Sequence, residues 1–157
     1  FRRFVDAGGY GEKSDRCPAW WSEQGWDYRK QLDWSEPRWW DDARFNRPTQ
    51  PVVGMSWYEA EAYCAWLNGP GSQTKQAEGS AQLPSVAQWE AAARCGRTAP
   101  ANKQQEERDY PWAGAFDPAL ANTAESNLGQ TTPVDMYLNG KTVARLQDAL
   151  DTRSCPT

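Results

Sequence analysis

Four cysteines, Cys17, Cys64, Cys95 and Cys155, are the side chains here best suited to holding a soft metal or closing a cross-link, for the chain contains no histidine. A sulfur site for copper(I) or zinc needs thiolates that converge on one ion. These four stand in four separate segments with no Cys-x-x-Cys pair, so no such set is visible. Their even number permits disulfides. Four cysteines in 157 residues equally suit reduced, buried thiols, and that reading is adopted together with a cytoplasmic location. Glu59 and Glu61 lie close in sequence, but near a helix start they read as a cap and a solvated face rather than as an acid–base pair. The ten tryptophans could wall a groove for a small molecule or peptide. Rings of that apolar area, each with an N–H to satisfy, are read first as core. Residue chemistry alone therefore assigns no catalytic and no cofactor-binding residue.

The elements that must position these groups begin with SWYEAEAYCAWLN, residues 56–68. Ser56 caps it, Glu59 three residues on completes a capping box, and Trp57, Ala60, Cys64 and Leu67 recur at helical spacing. Asn68-Gly69-Pro70 stops it. A second helix is expected over 85–95, where Ser85 and Gln88 form another box, Val86, Trp89 and Ala93 make a stripe, and Gly96 ends the run. The two stripes should meet in one core containing Trp57, Cys64, Leu67, Val86 and Trp89. At the start of the chain, Phe1, Phe4 and Val5 share a helical face that stops at Gly8-Gly9. Residues 17–48 hold six tryptophans among prolines and charges with no sustained period, which predicts an irregular, aromatic-pinned loop. Residues 69–81 and 97–109 read as polar loops, and 110–114, 121–126 and 131–137 as turns and brief strands. The pattern is α+β with much loop and no internal repeat.

Composition narrows the partners. A chain of this length can bury roughly 70% of its unfolded surface, enough for one core. The net charge of -4, with acids and bases interleaved, provides no basic face for nucleic acid. No apolar run reaches the length of a membrane span, and no charged-then-apolar leader is seen.

Three stretches together resemble the formylglycine-generating-enzyme (sulfatase-modifying-factor) family: RPTQPVVGMSWYEAEAYCAWLN (47–68), LPSVAQWEAAARCG (83–96) with YPWAG (110–114), and ANTAES with TTPVDMY (121–137). FVDAGGY and WWSEQGW add to it, and the resemblance covers residues 1–142. It implies a C-type-lectin-like α+β fold of two helices, small antiparallel sheets and much irregular loop. It also implies oxidation of a protein cysteine to formylglycine by dioxygen and a copper ion held by two cysteines in the intact enzyme. That pair follows GNVWEW-like and RGGSW-like stretches, neither of which occurs here. The tail from Val143, VARLQDALDTRSCPT, departs from the family, so the expectation is an incomplete domain over 1–142, an unmatched and protease-sensitive tail over 143–157, and no copper site on Cys155 or the other three. In calcium-binding members an Asn gives its side-chain oxygen and the next residue its carbonyl, which the resemblance transfers to Asn122 and Thr123. Ser126 stands near the expected acid, with Glu125 beside it. Partners implied are a protein or peptide substrate or a small ligand. The alternatives are a non-catalytic lectin-like binding module and the accessory lobe of an ergothioneine-synthase-like iron enzyme, whose histidines would lie in a separate helical bundle.

Overall fold

A computed structural model describes residues 1–11, 16–69, 80–94, 109–112 and 114–138. Three of the four α-helices among these residues start where a side chain satisfies a free N–H group of the first turn. The four are α1 (Arg2–Asp6), α2 (Glu23–Gln31), α3 (Trp57–Asn68) and α4 (Val86–Arg94), followed by 3₁₀ turns at Pro118–Leu120 and Ala124–Ser126. At α3, Ser56 Oγ accepts the Glu59 N–H at 3.3 Å and Glu59 Oε2 accepts the Ser56 N–H at 2.5 Å. At α4, Ser85 and Gln88 exchange the same two bonds at 3.2 and 2.8 Å. Both capping boxes therefore form as the sequence implies.

α2 corrects the reading of 17–48 as irregular. Ser22 caps it by accepting the Gly25 N–H, Glu23 lies in its first turn, and Arg29 and Lys30 lie in its last, an arrangement that suits the helix dipole. Its buried side is only Gly25 and Trp26, which leaves no apolar period to find. Gly25 lets α2 come close to α3 there, because a Cβ would stand 3.1 Å from the Tyr58 side chain, tighter than most such contacts.

Two compact units emerge. The first comprises Phe1–Asp42 with Val52–Leu83, and the second comprises Ala43–Pro51 with the described residues from Pro84 onward. In the first, Phe4, Tyr10, Trp21, Trp26, Ala62 and Trp66 form the core, with Phe1, Cys17, Tyr58, Tyr63 and Leu67 packed around it. Phe4 sits at its centre, edge-on to Trp66 at 5.6 Å and tilted against Tyr10 at 5.8 Å, the geometry that ring quadrupoles favour. Gly9 lies flat against the Phe4 ring with no room for a Cβ, and its carbonyl accepts both the Trp20 and Trp21 indole N–H groups, at 2.7 and 2.8 Å. In the second unit Trp112 is buried and stacks with Tyr110, its indole donating to the Ala115 carbonyl at 3.0 Å. Gln50 Nε2 donates to the Thr131 carbonyl and the Val134 N–H to that of Thr49, which ties two distant stretches of this unit.

The expected pairing of two helical stripes is overturned. α3 and α4 belong to different units, and Trp57, Val86 and Trp89 are 61%, 83% and 43% exposed. The buried positions of α3 are Glu59, Ala62 and Trp66, a face turned away from the Trp57–Ala60–Cys64–Leu67 stripe. Glu59 decides that rotation, because its carboxylate caps the helix and also takes a proton donor from the core. The small antiparallel sheets are likewise not found: no strand occurs among the described residues. Cys95, Cys155, the loop glycines near 70 and the tail from Val143 lie outside the described residues.

Replacing Phe4 by Ala should cost about 3–5 kcal/mol, as expected for a fully buried ring. Trp57→Ala and Trp89→Ala should each cost about 1 kcal/mol or less, as surface changes do. Urea unfolding followed by tryptophan fluorescence measures all three.

Candidate functional site

The most enclosed polar constellation lies where α3 begins. Glu59, 1% exposed, accepts the Tyr10 hydroxyl on Oε1 at 2.5 Å and the Ser56 N–H on Oε2 at 2.5 Å. Tyr10 is itself buried in the ring cluster. Burial, and then the Glu59 carboxylate that accepts its proton, push the Tyr10 phenol far above its ordinary value. This pair is therefore a proton donor and acceptor held dry and in line. Sequence reasoning placed Glu59 as a cap, which the structure bears out, and gave no sign of its burial. Only the partner, a tyrosine 49 positions earlier, draws it inward.

Beside α1 an open groove of about 750 Å³ is lined by Asp6, Gly8, Gly11, Arg16, Cys17 and Trp20, among others. A cation, a carboxylate, a thiol and an indole on one concave surface suit a small ligand with both charges. Cys17 is half-buried, and its thiol lies 3.5 Å from the carbonyls of Pro18 and Trp21. Desolvation, then the Glu23 carboxylate, raise its pKa. Cys64 is also a free thiol raised by burial, in keeping with the buried-thiol reading.

Because burial raises both thiols, a soft metal at either sulfur would have to displace its proton on binding. No group of three His, Cys, Asp or Glu side chains that could hold a metal occurs among the described residues. For calcium, Asn122 is 7% exposed and its Nδ2 donates to the Gln130 carbonyl at 2.9 Å, which leaves the amide oxygen as its group for a cation. The Thr123 carbonyl already accepts the Ser126 hydroxyl at 2.7 Å and the Ser126 N–H at 3.1 Å. Glu125 is exposed. The described residues thus offer one of the two implied donors unencumbered.

The family of the domain is shown by comparison with known proteins. Residues 1–144 match the family described as the sulfatase-modifying factor enzyme 1-like domain, and the chain belongs to it. It is 31% identical to the hercynine oxygenase of Mycolicibacterium thermoresistibile over 96% of its own length and 31% of that protein's. With the hercynine oxygenase of Mycobacterium tuberculosis the figures are 30%, 94% and 32%. With the formylglycine-generating enzyme of Bos taurus they are 32%, 80% and 32%. The chain therefore spans about a third of the length of these relatives. No helix among the described residues is long and apolar enough to cross a membrane.

Two outcomes test the site. Stability should fall as pH rises beyond 10.0, the ordinary tyrosine value, because the unfolded chain then releases a proton that folded Tyr10 retains. Tyr10→Phe should remove that part of the slope, about 1.4 kcal/mol per pH unit for one proton. Alkylation of Cys17 and Cys64 by iodoacetamide, read by peptide mass spectrometry, should be slow near neutrality and climb as pH passes 9.0, because the thiolate is the reactive form and both pKa values are raised.

Proposed function

We propose that this chain is the formylglycine-generating-enzyme-type lobe of an oxygenase that acts on a small hercynine-like molecule, and that it contributes ligand contacts rather than the metal. The observation that carries this reading is the reach of the similarity: 96% and 94% of the chain for two hercynine oxygenases, against 80% for a formylglycine-generating enzyme. The residues agree with it. A chain without histidine cannot itself supply imidazole to iron. The groove with Asp6 and Arg16 offers opposite charges to a betaine, and Trp20 offers a ring to its quaternary ammonium.

The second reading is a lobe of a copper-dependent oxidase that converts a protein cysteine to formylglycine, favoured by the 32% identity with the bovine enzyme. In either case the lectin-like architecture, with strands, belongs to the complete domain. Calcium at Asn122 belongs to it as well, and a cation there would have to draw the Thr123 carbonyl away from Ser126.

Titration calorimetry separates the readings. The purified chain should bind hercynine, and Arg16→Ala with Trp20→Ala should weaken that binding by about tenfold or more. Incubated with copper(I), dioxygen and a Cys-x-Pro-x-Arg peptide, it should yield no aldehyde by mass spectrometry. Aldehyde formation lost on changing any cysteine to Ser would establish the copper reading instead.

A further inference from the structure

The Tyr10–Glu59 pair has a second property, set by what surrounds it. The Tyr10 ring lies 5.9 Å from that of Trp21, and Trp21 lies 6.1 Å from Trp26, centroid to centroid. All three rings are buried, with 3%, 5% and 2% of their surface exposed. Such a row holds three of the most readily oxidised side chains within one ring's breadth of each other. The three differ in where an oxidised ring could put its proton and its charge. Trp21 donates its indole N–H to the Gly9 carbonyl, which accepts a hydrogen bond but does not take up a proton, so an oxidised Trp21 would stay cationic. Trp26 Nε1 is buried with no hydrogen-bond partner among the described residues, and the Arg29 guanidinium lies over its ring at 4.8 Å. A positive charge on Trp26 would be repelled there. Tyr10 alone has a base in line: Glu59 Oε1, 2.5 Å from the phenol oxygen.

We propose that Tyr10 and Glu59 form a proton-coupled redox site, in which a one-electron oxidant withdraws an electron by way of Trp26 and Trp21 and the hole comes to rest on Tyr10 as its proton passes to Glu59. The Tyr10 O–H bond breaks and a new O–H bond forms on Glu59 Oε1. A neutral phenol and a carboxylate become a neutral tyrosyl radical and a carboxylic acid, and the one electron lost reduces the oxidant by one unit. An electron from an ascorbate-class reductant reverses the step and returns the proton to Tyr10. Because the proton moves only between two buried oxygens, no water need enter the core. Tyr10 thus acts as a sink for stray oxidising equivalents in a domain whose relatives include oxygenases. The site rests on the ring and carboxylate geometry alone, whichever substrate the domain serves.

The test uses the intact chain and photogenerated tris(bipyridine)ruthenium(III) as oxidant, with freeze-quench electron paramagnetic resonance to identify the radical. A neutral tyrosyl signal is expected in the unmodified protein. Tyr10→Phe should abolish it in favour of a tryptophanyl signal, and a tyrosyl signal of undiminished size in that variant overturns the proposal. Glu59→Gln, which keeps an oxygen for the Ser56 cap, should slow tyrosyl formation by about 100-fold, the usual worth of a positioned proton acceptor. Trp21→Phe should slow it while leaving the final radical on tyrosine. Should Tyr10→Phe fail to fold, Glu59→Gln and Trp21→Phe still decide, because each must slow tyrosyl formation relative to the unmodified protein and an unchanged rate in both overturns the proposal.

Discussion

A single buried carboxylate organises the first unit. Glu59 closes the capping box of α3 with one oxygen and receives Tyr10 with the other. A buried carboxylate is costly unless its oxygens are hydrogen-bonded, and here both accept a donor. Because one residue performs both tasks, the start of α3, the face that α3 turns inward and the position of Tyr10 are fixed together. The rest follows from that register. Ala62 and Trp66 come to lie on the inner face, Phe4 meets Trp66, and Gly25 allows α2 to approach Tyr58. Trp57, on the side of the helix away from Glu59, Ala62 and Trp66, is left at the surface.

What the sequence made legible was local. Serine caps followed by Glu or Gln at the third helical position located α3 and α4, and the first ten residues put Phe1, Phe4 and Val5 on one helical face, of which Phe4 proves to be the buried centre. Such signals depend on neighbours a few residues apart, and those contacts are written in the chain itself. The resemblance to the formylglycine-generating-enzyme family also held, because it rested on several motifs in order rather than on one. What failed was long-range. The burial of Glu59 depends on Tyr10, and nothing at either position announces the other. α2 escaped notice because a nine-residue helix that buries one indole and one glycine carries no hydrophobic period. The stripe of α4 misled in the opposite way, since spacing describes a face and not whether anything covers it.

The candidate site shows the same division. Cys64 was expected as a buried core thiol, and the structure leaves it half-buried on the outer side of α3. The groove of Asp6, Arg16, Cys17 and Trp20 was not readable, because it is formed by the chain turning through Gly8 and Gly11, both at positive φ, and bringing the end of α1 against residues 16–20. Glycine supplies that conformation without a steric cost. Asn122 is fixed by a carbonyl eight residues on, so the transferred calcium role depends on turn geometry that motif letters alone do not contain.

The crowding of rings has an optical consequence. Indoles and phenols within about 6 Å of one another and set at an angle couple their electronic transitions, and the coupled bands have rotational strength in the far ultraviolet. Trp21 and Trp26 meet at 58° and are suited to this, whereas Tyr63 and Trp66, at 17°, are nearly parallel and contribute little. With ten tryptophans in 157 residues, those aromatic bands overlie the amide bands. Circular dichroism of this chain would therefore report the handedness of its aromatic core as much as its backbone, and a helix content fitted to it by standard reference spectra would be wrong for a reason that lies in the side chains.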